Sequence, residues 1–188
     1  MLAHLRPALV LLVAFTLLTG VAYPLAITGI AETLAPGSAN GSLVTEKGVV
    51  IGSSLIGQSF ANGRYFHPRP SAAGNGYDAS NSSGSNLGPI TQKLIDRVKG
   101  DVATLRSSGV TGPIPADAVT TSASGLDPDI TPENAAMQVA RVAKARGLDP
   151  AKVQALVDSH TAGRGWGIFG EPHVNVLALN LALEAAPP

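Results

Sequence analysis

The chain has 188 residues, 13 basic and 13 acidic side chains and no cysteine. That length suits one domain with an appendage; a net charge of zero gives no support for nucleic-acid binding, and the lack of cysteine excludes disulfides, thiolate metal sites and cysteine nucleophiles. Mean hydropathy is nonetheless +0.22 in a chain holding 21 Gly and 14 Pro, so apolar residues must be concentrated somewhere.

They lie at the start. From Pro7 to Ala31 there are 25 residues without a charge, twelve of them Leu, Val, Ile or Phe. Their summed insertion free energy is at most about −4 to −7 kcal/mol, and a helix of this length, about 37 Å, exceeds a ~30 Å hydrocarbon core. A cleaved signal peptide would place small residues such as Gly29 and Ala31 before its cut, but its apolar region spans only about 7–15 residues. A retained membrane helix is therefore expected. Arg6 precedes the run and Glu32 follows it, with the next basic residue at Lys47. The positive flank stays in the cytoplasm, so residues 1–6 are expected inside and residues 32–188 outside. Tyr23 suits the interface, and Pro24 is expected to kink the helix near its outer end.

Residues 32–88 hold ten Gly, ten Ser and five Asn with six charges, which predicts short strands and loops. Leu43–Thr45 and Val49–Ile51 flank Glu46-Lys47-Gly48 and read as a hairpin. Ser54–Ile56 and Tyr65–His67 are further strand candidates. From His67 to Asn86 the chain is too poor in apolar residues to build a core, and such a loop is usually functional or disordered. Residues 89–188 carry helical periodicity. A helix is predicted to open at Pro89, with Ile90, Leu94, Ile95, Val98, Val102 and Leu105 on one face. Thr131 is predicted to cap a second helix, and Asp149-Pro150 to open a third bearing His160. Val174–Leu183 reads as a short strand and then a helix. The fold class expected is α+β: one N-terminal transmembrane helix, residues 7–31, then one mixed α/β extracytoplasmic domain.

Chemical motifs are sparse. Gly165–Gly170 fits GxGxxG literally, but no strand precedes it and Glu171-Pro172 follows it, so it reads as a glycine turn with Trp166 and Phe169 packed down. His67, His160 and His173 lack ligand spacing, and no nucleophile elbow or phosphate loop is present. Asp127 and Asp129 flank Pro128 in a turn. No catalytic or metal-binding residues are assigned. The loop from His67 onward is the most unusual feature, with Arg69, Tyr77 and Asp78 and with Gln58 nearby.

Particular residues then carry a resemblance. Arg6-Pro7-Ala8 leads into an apolar helix with Thr19-Gly20 and Tyr23-Pro24. Ala39–Leu43, Gly52-Ser53, Leu55–Gln58, Tyr65–His67, Arg69–Ala72 and Gly84–Leu87 follow in order. Ser122–Asp127, Ile130–Pro132, Arg141–Ala143, Val174–Val176 and Leu179–Leu183 complete the set. Together they resemble the C subunit of the Kdp potassium-transporting ATPase across nearly the whole chain. Where the family pattern has Gly, this chain has Ser83. The resemblance implies an accessory and assembly subunit in the cell membrane, working beside a P-type catalytic subunit, a potassium-channel-like subunit and a small peptide subunit. It implies K⁺ import driven by ATP, with ATP and K⁺ handled by the complex, and a chaperone-like role that raises the catalytic subunit's ATP affinity. No P-type DKTGT motif or potassium filter is present, so the chain is expected to be non-catalytic. Tyr23, Pro24, Gln58, Tyr65, Phe66, His67, Arg69, Tyr77, Ser85 and Asn86 are the expected subunit contacts. The rival reading is a membrane-tethered extracytoplasmic hydrolase or binding module.

Overall fold

The structure, a computed structural model, describes residues 4–186. The chain divides into two compact units that meet at Ile51 and Gly52.

In the first unit, α1 (Leu5–Leu17) and α2 (Tyr23–Leu34) form one continuous helix through a wider π-helical turn, Leu18–Ala22. Pro24 explains that turn. It has no N–H to donate to the Gly20 carbonyl four residues back, and its ring crowds that carbonyl. Widening the turn relieves the clash, and Thr19 Oγ1 donates to the Phe15 carbonyl at 2.7 Å alongside it. The helix runs 30 residues, Leu5–Leu34, about 45 Å by its rise. No residue of α1 or α2 is buried, and Leu9, Leu12, Phe15, Leu18, Leu25 and Ile30 are all exposed. Water is a poor solvent for such a surface, whereas the helix is long and apolar enough to cross a bilayer.

A single helical turn, α3 (Pro36–Ala39), leads to the hairpin of β1 (Leu43–Glu46) and β2 (Val49–Ser53). Lys47 and Gly48 both have positive φ, 50° and 81°, as a two-residue hairpin turn requires. The hairpin forms where the sequence predicts it.

The second unit contains α4 (Gln92–Ser107), β3 (Asp129–Ile130), α5 (Pro132–Arg146), α6 (Pro150–Ser159), β4 (Thr161–Ala162), β5 (His173–Asn175) and α7 (Val176–Ala185). β5 lies between β3 and β4 in a small antiparallel sheet, and Val174 faces Ile130 on one side and Thr161 on the other. Val139, Val142, Val153, Val157, Val174, Leu179 and Leu183 pack into one core. Burying each stabilises the unit by about 1.5–3 kcal/mol before entropy is counted. The caps are local and legible. Thr131 accepts from the Asn134 N–H, Asp149 from Ala151 and Asn175 from Ala178. The last segment is a strand followed by a helix, as its pattern predicts.

Three expectations need correction. The helix expected at Pro89 starts at Gln92, after Thr91, because the Thr91 hydroxyl and N–H both turn back to the Gly88 carbonyl. Ile90 is consequently 90% exposed, while Leu94, Val98, Val102 and Leu105 form the half-buried stripe. Ser54–Ile56 is a turn from which Ile56 makes an isolated bridge to Ser53, and Tyr65–His67 is not a strand.

Candidate functional site

Tyr65–His67 is extended chain held by side chains instead of a neighbouring strand. Asn180 of α7 accepts from the Phe66 N–H at 2.8 Å and donates to the Phe66 carbonyl at 3.0 Å. Gln138 of α5 does the same to His67, at 2.7 and 3.0 Å. Each amide supplies one donor and one acceptor, which is what a paired strand would offer. The network continues inward: Gln138 donates to Asn134, and Asn134 donates to Asp117 at 3.0 Å. Asp117, itself buried, also accepts from the N–H and hydroxyl of Thr131. Arg141 donates to the carbonyls of Gly63 and Tyr65 and to Gln138. Arg146 donates to the Arg64 carbonyl, pairs with Glu184 at 2.6 Å and lies 5.2 Å over the Tyr65 ring.

His67 of the strap also lines an open groove of about 940 Å³, together with Phe60, Arg69, Tyr77, Leu105, Val110, Met137 and Arg141. Among the described residues no carboxylate lines it, and Arg69, Arg141 and Lys144 give it a positive cast. The cations are largely committed: Arg69 pairs with Asp127 at 2.7 Å, and Arg141 is spent on carbonyls. Burial, reinforced by the Arg141 charge, holds His67 below the usual imidazole pKa, and so neutral near pH 7. Burial pushes the Tyr77 phenol above its usual value, and its hydroxyl donates to the Arg69 carbonyl at 2.6 Å. Such a groove, apolar at Phe60, Leu105, Val110 and Met137 and cationic at its arginines, offers the mixture of surfaces that docking uses.

The long loop is fastened down. Ser71 donates to the Gly125 carbonyl, and Ser82 and Ser83 both bond the Ser124 carbonyl. Gly125 has φ +66°, and a Cβ there would lie 2.6 Å from the Ser83 carbonyl, so the crossing requires glycine. Ser83 itself is half-buried and outside the left-handed region, so serine fits there without strain.

The expected contact residues therefore separate. Tyr65, His67, Arg69 and Tyr77 are brought together at the strap and groove, half-buried. Phe66 is fully buried in the core, so it anchors the strap from inside and offers no side-chain surface. Gln58 is half-buried against Gly52, away from the groove lining. Ser85 is half-buried and Asn86 exposed with φ 51°. Tyr23 and Pro24 lie on the exposed apolar helix of the first unit.

The Gly165–Gly170 turn is also corrected. Trp166 is 92% exposed and Phe169 64% exposed; neither is packed down. His160 is a satisfied residue, its Nδ1 3.0 Å from the Leu156 carbonyl and 3.2 Å from Ser159 Oγ, which donates to that same carbonyl. Among the described residues no group of three metal-ligating side chains converges. Sequence reasoning missed the amide grip of Asn180 and Gln138. Its signal was present: Asn180 is the one polar residue in the run Val176–Leu183.

The family model described as K⁺-transporting ATPase, c chain (KdpC) matches residues 5–185. A potassium-transporting ATPase KdpC subunit from Caulobacter sp. (strain K31) is 58% identical, aligned over 100% of this chain and 96% of its own. One from Rhodospirillum rubrum is 57% identical over 100% and 98%, and one from Rhodopseudomonas palustris (strain BisB18) is 55% identical over 99% and 100%.

Proposed function

The chain belongs to the KdpC family, the c chains of K⁺-transporting ATPases, and from that premise we propose that it is the non-catalytic, single-pass accessory subunit of an ATP-driven K⁺ importer. Its partners in this reading are a P-type catalytic subunit, a potassium-channel-like subunit and a small peptide subunit. The observation that carries the proposal is the family match over residues 5–185, joined to one apolar helix of 30 residues. Tyr23 and Pro24 would meet a partner's helix in the membrane. Tyr65, His67, Arg69, Tyr77 and Asn86 would form the docking face of the second unit.

The amino terminus would be cytoplasmic and residues 32–188 outside, following the positive flank at Arg6. ATP then lies across the membrane from most of this chain. A chaperone-like increase in the catalytic subunit's ATP affinity would be indirect, through the conformation of the complex that this subunit favours.

The lack of cysteine makes the sidedness testable. Lys152→Cys, at an exposed position of α6, and His4→Cys, before α1, would each give this chain a single thiol. A membrane-impermeant maleimide applied to intact cells should label Lys152→Cys and leave His4→Cys unlabelled until the membrane is opened. The reverse pattern would overturn the placement.

A further inference from the structure

The connection between β4 and β5 ends in a small apolar knuckle. Its stem is rooted in the core, because Thr161 and Ala162 pair with Val174 and His173, and Val174 is fully buried. Gly165 and Phe169 exchange two backbone hydrogen bonds, at 2.8 and 2.9 Å, and Arg164 pairs with Glu171 at 2.6 Å across the base. The closed turn gives Trp166 φ 52° and Gly167 φ 78°. It holds Trp166 and Phe169 edge to face with ring centroids 6.1 Å apart, and Ile168 beside them is 73% exposed. A rigid, braced turn that presents three large apolar side chains outward gains nothing in water.

The geometry points to a membrane-surface contact: Trp166, Ile168 and Phe169 form a second foothold of this chain in the phospholipid interface. The inference goes beyond subunit assembly and rests on the Leu5–Leu34 helix lying in a bilayer. That helix makes lipid an obligate neighbour. Residues 35–51, between α2 and the second unit, span at most about 61 Å when fully extended, so the knuckle meets the surface at high effective concentration. Trp is the side chain best matched to the headgroup level, where its ring is sheltered and its N–H stays hydrogen-bonded, while Ile and Phe suit the adjoining acyl boundary.

Trp166 is the single tryptophan of the chain, so its fluorescence reports one site. The full chain is reconstituted into phosphatidylcholine vesicles with or without brominated acyl chains, and flotation with the vesicles verifies the anchor separately. Interfacial insertion predicts blue-shifted emission and about a twofold loss of intensity in brominated vesicles. The double variant Ile168→Ser/Phe169→Ser should float equally well and lose most of that quenching. Water-like emission without quenching, in a chain that floats, would overturn the inference. Blue-shifted emission insensitive to bromine would also overturn it, because the indole would then be buried against protein.

Discussion

Asn180 illustrates how one buried polar group can hold a segment that has no strand to pair with. Its two bonds satisfy the N–H and carbonyl of Phe66, 114 residues away in sequence. Asn180→Leu would fill similar space but leave both backbone groups unpaired inside the core, at about 1–3 kcal/mol each. Denaturant unfolding of the detergent-solubilised chain should show a loss of about 2–5 kcal/mol, against less than about 0.5 kcal/mol for the exposed Lys152→Ala. Equal midpoints for Asn180→Leu and the native chain would show that the strap is held by other means. A lone Asn in an apolar helix is visible in the sequence as an anomaly, but its partner is not. Tyr65–His67 has aromatic strand composition, and only the tertiary fold supplies amides where a neighbouring strand would stand. Phe66 is buried for a reason equally hidden in the sequence, since an apolar side chain carries no mark of which way it turns.

At the scale of elements, local chemistry was well recorded. Thr131, Asp149 and Asn175 each cap the helix that follows, because a side-chain oxygen satisfies an N–H only two or three residues on. The start of α4 was displaced because Thr91 competes with Pro89 as the boundary and its bonds to Gly88 prevail. In the Leu5–Leu34 helix, Pro24 predicts an irregularity, and the structure gives its form as a wide turn at Leu18–Ala22. That turn carries Gly20, with no atom within 4 Å of where a Cβ would stand, so the backbone there is open to close approach by another helix. Gly20→Leu and Pro24→Ala should therefore leave membrane insertion of the chain unchanged. Each should lower its recovery with partner subunits by about fivefold, equivalent to roughly 1 kcal/mol of helix packing. Full recovery of the complex with both substitutions would remove this turn from the assembly surface.

For the whole molecule, composition revealed two chemistries joined in one chain, an apolar helix and a near-neutral, glycine- and serine-rich remainder. The outward Trp166 turn was hidden, because glycine spacing encodes a turn and not the direction in which the fold points it. The groove's arginines are committed to carbonyls and to Asp127, which ties the strap and the loop into one scaffold. If such a scaffold raises ATP affinity from across the membrane, the coupling must run in both directions. A subunit that tightens ATP binding tenfold must itself be held tenfold more tightly when ATP is bound, a coupling of about 1.4 kcal/mol. A non-hydrolysable ATP analogue should then slow the detergent-driven loss of this chain from the purified complex, and Asn180→Leu, by loosening the strap, should weaken that protection. Dissociation at one rate with and without the analogue would mean that the subunit assembles the pump without biasing its nucleotide site.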